Sequence, residues 1–110
     1  MDNHFLKVTD EALLEELVKR SGNEPVIIFK HSTTCSISAS AYQEMKKVNG
    51  AVNLIEVQGA PEVSREIEQR TGLRHESPQV IILRNGKPVW NASHWRINAS
   101  AVETAVRDNT

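Results

Sequence analysis

One residue in this chain carries obvious chemistry. Cys35 is the only cysteine, and it sits in the hydroxyl-rich stretch HSTTCSISAS, residues 31–40. A cysteine thiolate is a nucleophile and the form that attacks disulfides. A dithiol exchange site would keep a second cysteine three residues on, but Ser38 stands there. Any exchange at Cys35 would therefore run on a single sulfur, with an external thiol needed to resolve the adduct. Ser32, Thr33, Thr34, Ser36 and Ser38 surround it with small hydroxyl donors that leave the sulfur accessible. The plain alternative is a cysteine that serves as a small buried hydrophobe. Such a residue belongs inside the apolar run VIIF (Val26–Phe29) or on the apolar stripe of a helix. Cys35 instead follows that run in a polar segment, at the strand end where open α/β sheets place their sites.

The histidines add little by spacing. His31 precedes Cys35 by four positions and either tunes the thiolate or ends the strand. His4, His75 and His94 are scattered, and with one cysteine they do not make a zinc pattern, so no metal is expected.

The elements that must hold Cys35 follow from periodicity. Thr9 or Asp10 caps a first helix with a stripe of Leu13, Leu14, Leu17 and Val18, broken at SGNEP. VIIF is a short continuous apolar run, as expected of a strand covered on both faces. A helix opening near Cys35 carries Ile37, Ala41, Tyr42, Met45 and Val48 and stops at Asn49–Gly50. The start of that helix offers unpaired N–H groups and the positive end of the macrodipole, both of which favour a thiolate. VNLIEV (52–57) is a second strand, and Pro61 opens a helix that ends at Thr71–Gly72. SPQVIIL (77–83) is a third strand, joined by an Asn85–Gly86 hairpin turn to a fourth, which Pro88 pushes to the sheet edge. Asn98 caps a last helix.

The order α-β-α-β-α-β-β-α combines a parallel strand–helix–strand unit with an antiparallel hairpin. A mixed four-stranded central sheet with helices on both faces satisfies it, an α/β arrangement of the thioredoxin-like type. In that fold a cis-proline before the third strand faces the active thiol. Pro78 is the expected cis-proline, with Ser77 offering its backbone N–H and C=O to an extended thiol ligand.

The bulk numbers bound the rest. A chain of 110 residues with 39% hydrophobic and 25% charged positions reads as one folded domain, 1–110. Net charge is -1, so no footprint for nucleic acid is expected. No apolar run approaches a membrane span, and the first residues do not read as a signal peptide. A single cysteine excludes an internal disulfide, and a reduced, cytoplasmic monomer is the expectation.

Three segments, HSTTCSISASAYQEM, TGLRHESPQVIIL and ASHWRINASAV, resemble the monothiol bacilliredoxin family over nearly the whole chain. The resemblance implies a thioredoxin-like fold and removal of bacillithiol, a low-molecular-weight thiol, from mixed disulfides on client proteins. It implies Cys35 as nucleophile and Ser38 at the absent resolving position; Thr34, Ser36, Ser38, Ser77 and Pro78 are the residues expected around the substrate from their places beside the thiol. His75, Glu76, Ser77, Pro78 and Gln79 match the family's cis-proline segment. No bound cofactor is implied; bacillithiol is a co-substrate. Ser36 departs from the family's usual T-C-P-I-S, restoring an N–H and adding a hydroxyl near the sulfur. Two other roles remain for such a chain: an iron–sulfur cluster held between two copies, or a thioredoxin-like interaction module that does no redox chemistry.

Overall fold

The computed structural model describes residues 4–110. Strand β1 (Phe5–Lys7) leads into helix α1 (Glu11–Arg20), strand β2 (Val26–His31) and helix α2 (Ser36–Met45). Strand β3 (Val52–Glu56), helix α3 (Pro61–Thr71) and the hairpin β4 (Gln79–Arg84) and β5 (Lys87–Ser93) follow. A 3₁₀ turn (His94–Arg96) precedes helix α4 (Ala99–Asp108).

The sheet has five strands rather than four, in the order β1-β3-β2-β4-β5. The extra strand is β1, parallel to β3 with Phe5 opposite Val52 and Lys7 opposite Leu54. Three residues are too few to show a period of two. What makes them a strand is their partner: Val52 N–H donates to the His4 carbonyl at 2.8 Å, and Val8 N–H to Leu54 at 2.9 Å. Phe5 also stacks on Tyr42 of α2 with ring centroids 4.6 Å apart. β2 runs parallel to β3 and antiparallel to β4.

The sheet separates two apolar layers because successive strand side chains alternate faces. Ile27, Phe29, Val80 and Ile82 pack with Ala41, Met45, Val102 and Ala105 of α2 and α4. Val26, Ile28, Ile81 and Leu83 pack with Leu14, Leu17, Val63 and Ile67 of α1 and α3. Local chemistry fixes the ends. Asp10 accepts from Leu13 N–H at 2.9 Å, and Asn98 from Ala101 N–H at 2.8 Å. The hairpin turns through Asn85 and Gly86, whose φ values of 57° and 75° suit a type I′ turn. The main consequence for the site is that β2 extends past VIIF. Lys30 and His31 belong to the ladder, so the strand ends four residues before Cys35.

Candidate active site

Cys35 is the N-cap of α2, with extended φ and ψ of -110° and 128°. It is half-buried and unpaired by disulfide. No cap hydrogen bond forms at its side chain. Its thiol is held below the ordinary pKa chiefly by the Ser38 backbone N–H, then by that of Ile37, with the Ser38 hydroxyl assisting against slight burial. These are the unpaired donors of the first helical turn, and they favour the anion.

The hydroxyls of the loop do something different from what their crowding suggests. Ser32 and Thr34 Oγ atoms lie 3.3 Å apart, and the Gln58 side-chain amide donates to them at 2.8 and 3.1 Å. Gln58 Oε1 also accepts from Thr33 N–H at 3.3 Å. Thr34 is thereby tied to Ser32 and Gln58 as part of the loop that leads to Cys35. Ser38 is fully buried, and its Oγ accepts from Ser32 N–H at 3.3 Å, tying loop to helix. Ser36, exposed at the first position of α2, keeps the N–H that proline would lack. Gln58 lies 23 positions from Cys35 in a loop after β3, and no pattern in the sequence marks it.

Ser77–Pro78 is a cis peptide. Lys30 pairs with Gln79 across β2 and β4, so Pro78 falls beside His31 at the end of β2 that leads to Cys35. Gln79 is buried and braces the segment before the proline: its Nε2 donates to the Arg74 carbonyl at 3.1 Å, and its Oε1 accepts from Glu76 N–H at 3.4 Å. The Pro78 carbonyl accepts from His94 N–H at 3.0 Å. Two buried polar atoms near this strand end, Ser77 Oγ and His31 Nδ1, have no hydrogen-bond partner among the described residues. His31 is 9% exposed, tilted between Phe29 and Tyr42, and burial lowers its pKa against an opposing pull from Glu56 and Ser38. It is therefore neutral at pH 7, on the α2 side of the sheet.

Lys30 points the other way. It is completely buried, and its Nζ meets His75 Nδ1 at 3.2 Å. Ser64 Oγ of α3 lies 3.2 Å from the same nitrogen, and Glu68 accepts from His75 N–H at 3.1 Å. Burial pushes the Lys30 ammonium down to about 8, with Glu68 opposing. Burial, then the Lys30 charge, lowers His75 as well, against Glu68 and Glu76. The signal in the sequence was a lysine in phase with Val26 and Ile28, but its partner stands 45 residues away.

A family model described as monothiol bacilliredoxin BrxC matches residues 6–102. A solved structure described as a candidate oxidoreductase with a thioredoxin fold shares 33% identity over 92% of each chain, with a TM-score of 0.85. The reduced thioredoxin pre-protein of Schistosoma mansoni aligns at 16% identity over 98% of this chain and 100% of that one, TM-score 0.72. Mitochondrial thioredoxin 3 of Saccharomyces cerevisiae aligns at 17% identity over 94% of each chain, TM-score 0.72. The two thioredoxins are similar in fold alone.

Proposed function

Because this chain belongs to the monothiol bacilliredoxin family, we propose that Cys35 removes bacillithiol from mixed disulfides on cytoplasmic client proteins. The Cys35 thiolate attacks the bacillithiol sulfur. A new S–S bond forms as the old one breaks, and the client cysteine leaves as a thiolate. A second bacillithiol thiolate then attacks the bacillithiol sulfur of the adduct and displaces Cys35. The net exchange turns one mixed disulfide and one bacillithiol into a client thiol and the bacillithiol disulfide, with Cys35 regenerated and no bound cofactor needed. The helix-start amides of Ile37 and Ser38 stabilise Cys35 both as nucleophile and as leaving group. Ser77 offers backbone N–H and C=O to the ligand chain, with Pro78 fixing their direction.

The observation that carries this reading is the pairing of an activated Cys35 with a fully buried, hydrogen-bonded Ser38 one turn along. No neighbouring thiol competes for the adduct. Intact-mass measurement tests it. Native protein mixed with oxidised bacillithiol is expected to gain one bacillithiol and keep it until free thiol is added. Cys35→Ser is expected to gain none. Ser38→Cys places a second thiol within disulfide reach and is expected to expel the bacillithiol as an internal disulfide forms. Uptake by unfolded protein but not by native protein would falsify the proposal.

A further inference from the structure

The 3₁₀ turn after β5 carries side chains that the thiol and its loop leave unused. His94 stands in the left-handed region at φ 56°, uncommon for a residue with a side chain. Two contacts hold it there: its N–H donates to the Pro78 carbonyl at 3.0 Å, and its Nδ1 lies 3.2 Å from the Glu76 carboxylate. Behind the turn Ile97 is buried, and on its flank the turn packs on α2, the helix that Cys35 opens. The turn is thus anchored to the cis-proline segment and to the thiol's own helix.

From this anchored turn Trp95 projects with 74% of its surface exposed, the most among the exposed large hydrophobic residues described. Next to it, Arg96 is exposed and forms no ion pair among the described residues. Glu76, Asn91, Ser93, His94, Trp95 and Arg96 line a groove of about 480 Å³. Apart from the indole and Ala92, its walls are carboxylate, amide, hydroxyl, imidazole and guanidinium. An apolar peptide would strand those groups without partners. A ring bearing hydroxyls, with a carboxylate attached, satisfies them: the ring carbons cover the indole face, and the carboxylate pairs with a guanidinium whose fork matches it. Glu76 contacts the His94 ring at 3.2 Å, and Arg96 is the groove's one guanidinium, free of any ion pair among the described residues.

Bacillithiol carries a sugar ring and carboxylates beside its thiol. We infer that this groove holds the sugar-and-carboxylate end of the small thiol while its sulfur meets Cys35, making Trp95 and Arg96 specificity residues. The inference rests on the proposed function and names which part of the ligand this surface reads.

The test compares two disulfides reacting with Cys35. One is oxidised bacillithiol; the other is 2-hydroxyethyl disulfide, which has neither sugar nor carboxylate. In both, the Cys35 thiolate attacks one sulfur, the S–S bond breaks and the other half leaves as thiolate. Trp95→Ala and Arg96→Gln are each expected to slow adduct formation with oxidised bacillithiol about tenfold, in the range of a lost stacking or charged contact. The same variants are expected to react with 2-hydroxyethyl disulfide within about twofold of wild type. The bacillithiol rate of wild type is expected to fall with added salt, and Arg96→Lys to keep that dependence while Arg96→Gln loses it. Trp95→Tyr is expected to retain most of the wild-type rate. Unchanged bacillithiol rates in both variants overturn the groove and leave the proposed function standing. Equal slowing of both disulfides, at unaltered melting temperature, also overturns it, since the turn then serves Cys35 generally. If wild-type Cys35 takes up no bacillithiol, the underlying function fails and the groove with it.

Discussion

Lys30 and His31 are neighbours in β2 but open onto opposite faces of the sheet, and the regions beyond them treat charge in opposite ways. Past His31, on the side leading to α2, Cys35 meets the N–H groups of a helix start, and its pKa falls because the charged form is stabilised. On the other face Lys30 is enclosed with a single hydrogen-bonding partner among the described residues, the imidazole of His75, and its pKa falls because the charged form is penalised. The same direction of shift therefore means activation in one place and a cost in the other. The difference lies in what surrounds the group. Amides aligned by a helix need no rearrangement to meet an anion, whereas a buried ammonium without a carboxylate at contact distance has lost its water and gained little.

Replacing the buried lysine tests the costly half of this comparison and carries the largest expected effect. Burial lowers the Lys30 pKa to about 8 in the folded chain, from an ordinary lysine value of 10.5. Between those values the unfolded chain binds more protons than the folded one, so stability rises as pH climbs from about 8 to about 10.5. Below about 8 both states are protonated and the full cost is present. At about 1.36 kcal/mol per unit, that cost approaches roughly 3 kcal/mol. Lys30→Met is expected to be more stable than wild type at pH 7 by up to that amount, with the gap closing toward pH 10.5. Urea midpoints measured across this pH range check it. A gap independent of pH would show that Lys30 is not held as a strained cation.

The activating half is tested by alkylation. Iodoacetamide uptake by native protein is expected to show a midpoint below roughly 8.5, the free-cysteine reference. Ser38→Ala removes the hydroxyl but keeps the Ser38 N–H, the leading cause of the shift, so the midpoint is expected to rise only part of the way back. A full return would place the acidity in the side chain rather than in the helix start. Lys30→Met is expected to leave the midpoint where it is, because Lys30 faces the other layer.

These two regions also differ in how far they could be read without coordinates. The Cys35 region is local: an apolar run, a polar loop and a helix start lie within about a dozen positions, and their order alone puts the thiol at a strand's end. The presence of the helices, the hairpin and the edge position of the Pro88 strand were legible for the same reason, since each rests on periodicity or on turn chemistry within a short window, although α2 stops at Met45 and leaves Val48 in the turn that follows. The Lys30 region is not local. A charge after VIIF reads as the end of a strand unless His75 and Ser64 are known to close over it. The fifth strand was hidden likewise, because Phe5–Lys7 is defined by its pairing with Val52–Leu54. The loop hydroxyls were visible, but their engagement by Gln58 was not. A single amide reaching from another loop leaves no periodic trace.

Gln58 gives the smallest expected effect and the sharpest test of where activation resides. Its side chain is exposed, yet it accepts from Thr33 N–H and donates to Ser32 and Thr34, so it fixes the loop between β2 and Cys35. Each such bond contributes about 1 kcal/mol at most in water, and exposed groups rebind solvent when the partner is lost. Gln58→Ala is accordingly expected to lower stability by about 1 kcal/mol or less. It is also expected to raise amide hydrogen exchange at Thr33, whose N–H loses its acceptor. The alkylation midpoint of Cys35 should not move, because the donors that favour its anion belong to Ile37 and Ser38 inside α2. If the midpoint rises together with faster exchange at Thr33, the loop, and not the helix start, prepares the thiolate. The contrast between an anion held by helix amides and a cation held by nothing comparable would then have to be redrawn around the loop.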